Sequence, residues 1–136
     1  MSVLKITTFQ AYLFWENIDK NLQNLGLRLS SIREKTDLII LPEMFNTGFT
    51  MNVEALAEEM GGKTMKWMHE QAKRFESVVT GSLIIKEEGK YFNRLIWMRP
   101  DGTHEKYDKR HLFGLGKEDT VYTPGKYKLI VDLLGW

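Results

Sequence analysis

Cysteine is absent from the 136 residues, which excludes disulfide bonds, thiolate metal sites and thiol nucleophiles drawn from these residues. Apolar runs long enough to cross a bilayer are missing too, and the opening MSVLKITTFQ lacks the continuous apolar core of a signal peptide. A cytoplasmic protein without a membrane partner is the expectation. Excess charge of one sign is likewise lacking: 19 basic against 18 acidic side chains leave a formal net charge of +1, too little to steer the chain to nucleic acid. The histidines His69, His104 and His111 fall at no HExxH spacing, so no metal centre is expected. Gly61-Gly62-Lys63-Thr64 contains a GKT string but not the upstream glycine of a phosphate-binding loop. Repeats, low-complexity tracts and linkers are absent, and a single domain over residues 1–136 follows.

What is present suits a globular core. Hydrophobic residues make up 43% and charged residues 27%, a balance far from that of a disordered tail. Leu4 to Phe9 alternates as an opening strand. Trp15, Ile18, Leu22, Leu25, Leu29 and Ile32 recur at steps of three and four, predicting one stripe of a helix. Leu38 to Leu41 is a continuous apolar run, as in a strand buried on both faces, and Glu43 to Thr50 reads as a loop at its end. Met65, Met68, Ala72 and Phe75 predict a second helix, its methionines and Trp67 serving as core. Val78 to Ile85 and Tyr91 to Met98 read as strands around a turn at Glu87-Glu88-Gly89-Lys90, with Pro100-Asp101-Gly102 as a second turn signal. His104 to His111 is expected to continue extended, Gly114 and Gly116 to open a loop, and Tyr127 to Leu133 to form a last strand. Helices alternating with buried strands indicate an α/β fold.

Few side chains are placed to do chemistry. Glu43 follows a buried strand closed by Pro42, a position that would hold a carboxylate at the sheet rim where ligands bind in α/β sheets. The plainer alternative is a solvent-facing loop glutamate. Tyr107 to Phe113 packs charge between aromatics, and Lys109 held there could stabilise a developing oxyanion; its alternative is a solvated strand edge. Glu43 with Glu118 would supply the carboxylates of a glycosidase-type pair, but spacing in sequence does not set their separation in space.

Taken in order, these strings resemble the nitrilase superfamily of carbon-nitrogen hydrolases along essentially the whole chain. Asp37-Leu38-Ile39-Ile40-Leu41-Pro42-Glu43, with Met44-Phe45 and Gly48-Phe49 after it, is similar to the family's glutamate motif. Tyr107-Asp108-Lys109-Arg110-His111-Leu112-Phe113 is similar to its lysine motif, and Glu118 with Tyr122-Thr123-Pro124-Gly125 falls where the family has a supporting glutamate and a glycine turn. The wording around Glu43 and Lys109 most resembles omega-amidases, which hydrolyse the side-chain amide of 2-oxoglutaramate and 2-oxosuccinamate.

The resemblance implies a cysteine that attacks the amide carbon, Glu43 as general base, Lys109 as oxyanion partner, Glu118 orienting Lys109, and Phe45 and Phe49 walling the pocket. It implies a small-molecule amide substrate and neither a metal nor an organic cofactor. It further implies the N-terminal half of a four-layer αββα sandwich, truncated before the segment that presents the cysteine, inactive alone, and inclined to pair with itself or with the missing half. The alternative is a non-catalytic binding or oligomerisation module built on the same half fold.

Overall fold

The computed structural model describes residues 3–136. Five strands form one mixed sheet in the order β1 (Ile6–Thr8), β2 (Leu38–Ile40), β3 (Val78–Glu87), β4 (Lys90–Met98), β5 (His104–Asp108). The first three are mutually parallel, and the β3–β4 and β4–β5 pairs are antiparallel. Parallel neighbours need crossovers, and helices supply them: α1 (Ile18–Leu29) joins β1 to β2, while α2 (Val53–Leu56) and α3 (Lys63–Phe75) lie between β2 and β3. The antiparallel pairs close through short turns. Glu88 (φ 50°) and Gly89 (φ 73°) both take positive φ, as a two-residue hairpin turn requires.

Alternation along the strands divides the sheet into two unlike faces. Val79, Leu83 and Ile85 of β3 and Ile96 and Met98 of β4 pack with Leu22, Leu25 and Leu29 of α1 and Met65, Met68 and Ala72 of α3 in the main core. The neighbouring positions, Thr80, Ser82 and Asn93, point the other way, toward Glu43 and Lys109. Gly81 admits Phe45 to the core side: a Cβ there would stand 2.7 Å from the Phe45 ring and 3.0 Å from Leu41 Cβ. Phe45 is therefore fully buried in the helix-side core.

One expected helix is shorter, one expected strand is absent, and one short helix was not expected. The spacing predicts a helical stripe from Trp15 to Ile32, but α1 starts at Ile18, where the Asn17 side chain accepts from Lys20 N–H, and stops at Leu29. Trp15 stands outside it, 69% exposed, with its indole N–H donating to Phe49 O. Ile32 still packs against the core from the segment beyond the helix. Tyr127 to Leu133 is not a strand: it makes no ladder, and Ile130 is 94% exposed. Its apolar run Leu129-Ile130-Val131 lies without an adjacent strand to pair with. The short α2 gave no sequence periodicity because a single turn is too brief to show one.

At the hairpin end, fully buried Arg94 donates to Glu87 and to Asp108, its cross-strand partner, while Lys106 also reaches Glu87. These bonds, Arg94's first, hold Glu87 down at about 2.

Two outcomes follow from this packing. Gly81→Ala should destabilise the fold by about 2 kcal/mol in urea denaturation, because the new methyl has to displace Phe45 or Leu41. Glu87→Gln should lower stability at pH 7 by on the order of 1 kcal/mol, given the partial exposure of that carboxylate. Because Glu87 is depressed from 4.5 to about 2, the stability it contributes is complete above 4.5 and lost as pH falls through about 2. The gap between variant and parent in a pH series of unfolding curves should close over that window.

Candidate functional site

Glu43, Lys109 and Glu118 come from three separate segments and meet in one cluster on the face opposite the helices. Glu43 leaves β2 through Pro42 and sits directly before Met44, a non-glycine residue in the left-handed region at φ 49°. That turn is pinned to β3, since Met44 N–H donates to Ser82 Oγ at 2.9 Å and Phe45 N–H to Ser82 O at 3.2 Å. A strained residue so firmly held fixes the direction in which Glu43 leaves the backbone.

Lys109 directly follows β5. Its N–H donates to Asn93 O and its carbonyl accepts from Gly125 N–H, both at 2.9 Å. Gly125 fits there because it has no side chain: a Cβ would lie 2.1 Å from Asp108 O. Glu118 opens a 3-10 turn, Glu118–Thr120, in a loop that folds back over the sheet and is fastened where Tyr122 Oη donates to Thr50 O at 2.7 Å.

The ammonium of Lys109 lies 2.8 Å from Glu43 Oε1 and 2.8 Å from Glu118 Oε2. Asn93 joins the same two carboxylates, its Nδ2 donating to Glu43 Oε1 at 2.8 Å and to Glu118 Oε1 at 3.0 Å. Phe113 N–H donates to Glu118 Oε2 at 2.7 Å. The two carboxylates are thus in different states. Glu118 is wholly buried with both oxygens bonded; the Glu43 side chain is 51% exposed, and among the described residues its Oε2 has no partner.

Burial alone would raise Glu118, but its bonds from Asn93, Lys109 and Phe113 hold it below the ordinary carboxylate range. Burial would likewise lower Lys109, and its pairs with Glu118 and Glu43 lift it above the usual lysine value instead. Tyr122 is pushed well above the tyrosine range, first by burial and then by the negative charge of Glu118 and Glu43.

Two depressions flank the cluster, each bordered by Glu43 and Lys109. One, of about 320 Å³, lies over the sheet face and includes Thr80, Ser82, Asn93 and Tyr107. The other, of about 510 Å³, opens outward past Phe49, His111, Leu112 and Phe113. Phe49 and Phe113 meet edge to face with centroids 6.2 Å apart, and the Lys109 ammonium stands 5.6 Å from the Phe49 ring centre. Phe49 borders the outer of the two depressions. Phe45, expected to wall the pocket with it, borders neither depression, because the Met44 turn sends it through the gap at Gly81. Asn93 is a further residue of the cluster that the sequence motifs do not bring forward, because its neighbours Lys90 and Arg94 make a polar residue in β4 unexceptional. Glu43 stands at the sheet rim, about half exposed, with solvent reaching it beside Lys109.

A partially exposed carboxylate with a free oxygen, a fixed ammonium beside it and an open depression can accept a proton and stabilise an anion in one place. Among the described residues no cluster of three histidines, aspartates or glutamates could hold a metal ion. No helix among them is long and apolar enough to cross a membrane.

The chain matches the family "Carbon-nitrogen hydrolase" over residues 5–132. It is 38% identical to omega-amidase YafV of Yersinia enterocolitica and 36% identical to omega-amidase YafV of Escherichia coli K12, in each case over 100% of this chain and 52% of the relative. A crystal structure of a CN-hydrolase superfamily protein from Xanthomonas campestris superposes with a TM-score of 0.93 at 40% identity, over 100% of this chain and 51% of that one. The chain therefore spans about half the length of the relatives it matches. The expected half of a nitrilase-type sandwich agrees with this one sheet and its single helical layer. On sequence and fold together, the chain belongs to the carbon-nitrogen hydrolase family of the nitrilase superfamily.

Proposed function

We infer that these residues supply the base and the oxyanion partner of an omega-amidase. The substrate would be the terminal amide of a 2-oxo dicarboxylic acid monoamide such as 2-oxoglutaramate. The nucleophile would be a cysteine from outside these residues, since none lies within them. The observation that carries this reading is the asymmetry of the cluster: Glu43 keeps one oxygen free, while Lys109 is held between two carboxylates and has three N–H donors to share among them.

In the proposed reaction Glu43 Oε2 takes the thiol proton as sulfur bonds to the amide carbon, and the resulting oxyanion is stabilised by Lys109. The carbon-nitrogen bond then breaks, and the nitrogen leaves as ammonia with the proton returned by Glu43. Water adds to the thioester while Glu43 accepts its proton, and collapse releases the carboxylic acid and the thiol. Glu118 keeps Lys109 in place, and Phe49 with Phe113 lines the approach. A carboxylate-pair hydrolase is poorly supported, because Glu118 is buried with both oxygens engaged.

Without the nucleophile the base and cation should give little turnover by themselves, since such groups act as a unit. The second reading, a non-catalytic binding or oligomerisation module, draws on the open depressions on the face opposite the helices. Under either reading the sheet face and edges left open favour association with a second copy or with the remainder of a longer chain.

A chimera carrying this chain in place of the matching portion of the Yersinia enzyme should release ammonia from 2-oxoglutaramate. Glu43→Gln in that chimera should cut kcat/KM by about 10³-fold. A folded chimera that releases no ammonia would remove the amidase reading and leave the binding module. Lys109→Met should destabilise the chain by about 3 kcal/mol in chemical denaturation at pH 7, because buried Glu118 loses its cation. The sign follows from the lowered Glu118: the parent's advantage is present above the ordinary carboxylate range and shrinks as acid protonates Glu118.

A further inference from the structure

We propose that Asn93 is a positioning residue that sets which of the two carboxylates serves as the base; this rests on the amidase reading above. Asn93 is 2% exposed, in the middle of the longest strand pair, facing away from the helices. Its amide nitrogen carries two hydrogens, and the two bonds to Glu43 Oε1 and Glu118 Oε1 use them both. The orientation of the amide is therefore fixed: turned over, it would aim its carbonyl oxygen at two carboxylates.

The consequence falls on Glu43. Lys109 also binds both carboxylates, so without Asn93 the two acids would share one cation and nothing else would hold half-exposed Glu43 against it. With Asn93 in place, Glu43 Oε1 receives both donors and is occupied, which leaves Oε2 as the oxygen for proton transfer. Glu118 has Asn93 on Oε1 and Lys109 with Phe113 N–H on Oε2, which leaves it no such oxygen. The backbone supports the same arrangement, because Asn93 O accepts from Lys109 N–H and so ties the amide to the cation through the sheet. The titratable groups around Asn93 are Glu43 from the turn after β2, Tyr107 and Lys109 at the end of β5, and Glu118 from the 3-10 turn, with Tyr122 buried nearby under the influence of both carboxylates.

Asn93→Asp keeps the shape and replaces the double donor with a third carboxylate, so the cluster would need a proton to regain a donor. In the Yersinia chimera this variant should lose about 100-fold in kcat/KM at pH 8, mainly in kcat, and recover about tenfold of that loss by pH 6. A residue that merely fills space would give a variant-to-parent ratio that is flat with pH, and a flat ratio would overturn the proposal. A second readout uses the 136-residue chain itself and stays informative if the unaltered chimera is inactive, an outcome that counts against the amidase reading alone. Asn93→Ser can donate to a single carboxylate, so the Glu118 carboxyl carbon, followed by NMR, should titrate about half a pH unit or more above its midpoint in the parent chain. A Glu118 midpoint that does not move would overturn the positioning role.

Discussion

A lysine ammonium suspended between two carboxylates is the interaction on which the rest of the site depends. Glu118 is buried completely, a condition a carboxylate tolerates when it is paired and fully hydrogen-bonded. Lys109 supplies the pairing, and to do so it must emerge from β5 at one height and in one direction. The backbone bonds to Asn93 and Gly125 give it that position, and the loop carrying Glu118 closes over the sheet because its charge finds its counterion there. Removing the lysine would unsettle the loop, the buried acid and the free glutamate together, so fold stability and chemistry at this cluster are coupled.

Much of this was legible in the sequence, for identifiable reasons. The apolar run Leu38 to Leu41, closed by Pro42, located the strand end that presents Glu43, and the helical spacing around Leu22 to Leu29 and Met65 to Phe75 located the layer behind it. The motif order brought Glu43, Lys109 and Glu118 forward as candidates. What the sequence hid was lateral. Asn93 bonds Glu43 and Glu118, which come from distant segments that no local pattern brings together, and the left-handed Met44 turn and the gap at Gly81 carry Phe45 to the face opposite the pocket its position in sequence suggests. Tyr127 to Leu133 has the apolar composition of a strand and lacks the partner that makes one.

The two sheet faces account for the uneven distribution of order. Helices α1 and α3 cover one face and build the main core there; the other carries the charged cluster and its two depressions, with a smaller apolar group of Met44, Val53 of α2, Ile84 and Tyr122 at one end. Polar groups on the second face are satisfied chiefly by one another: Ser82 holds the Glu43 turn, and Asn93 holds both acids. This side of the sheet is organised around charge, while the opposite side is organised around packing.

The central claim is that Lys109 is locked between Glu43 and Glu118, and it can be read from one titration. With the lysine side-chain carbons labelled, the Lys109 Cε resonance followed by NMR against pH should have a midpoint above that of an ordinary lysine, because both carboxylates hold the proton in place. A midpoint at or below the ordinary lysine value would mean that burial acts on an unpaired ammonium, and the Glu43–Lys109–Glu118 cluster would not exist in solution.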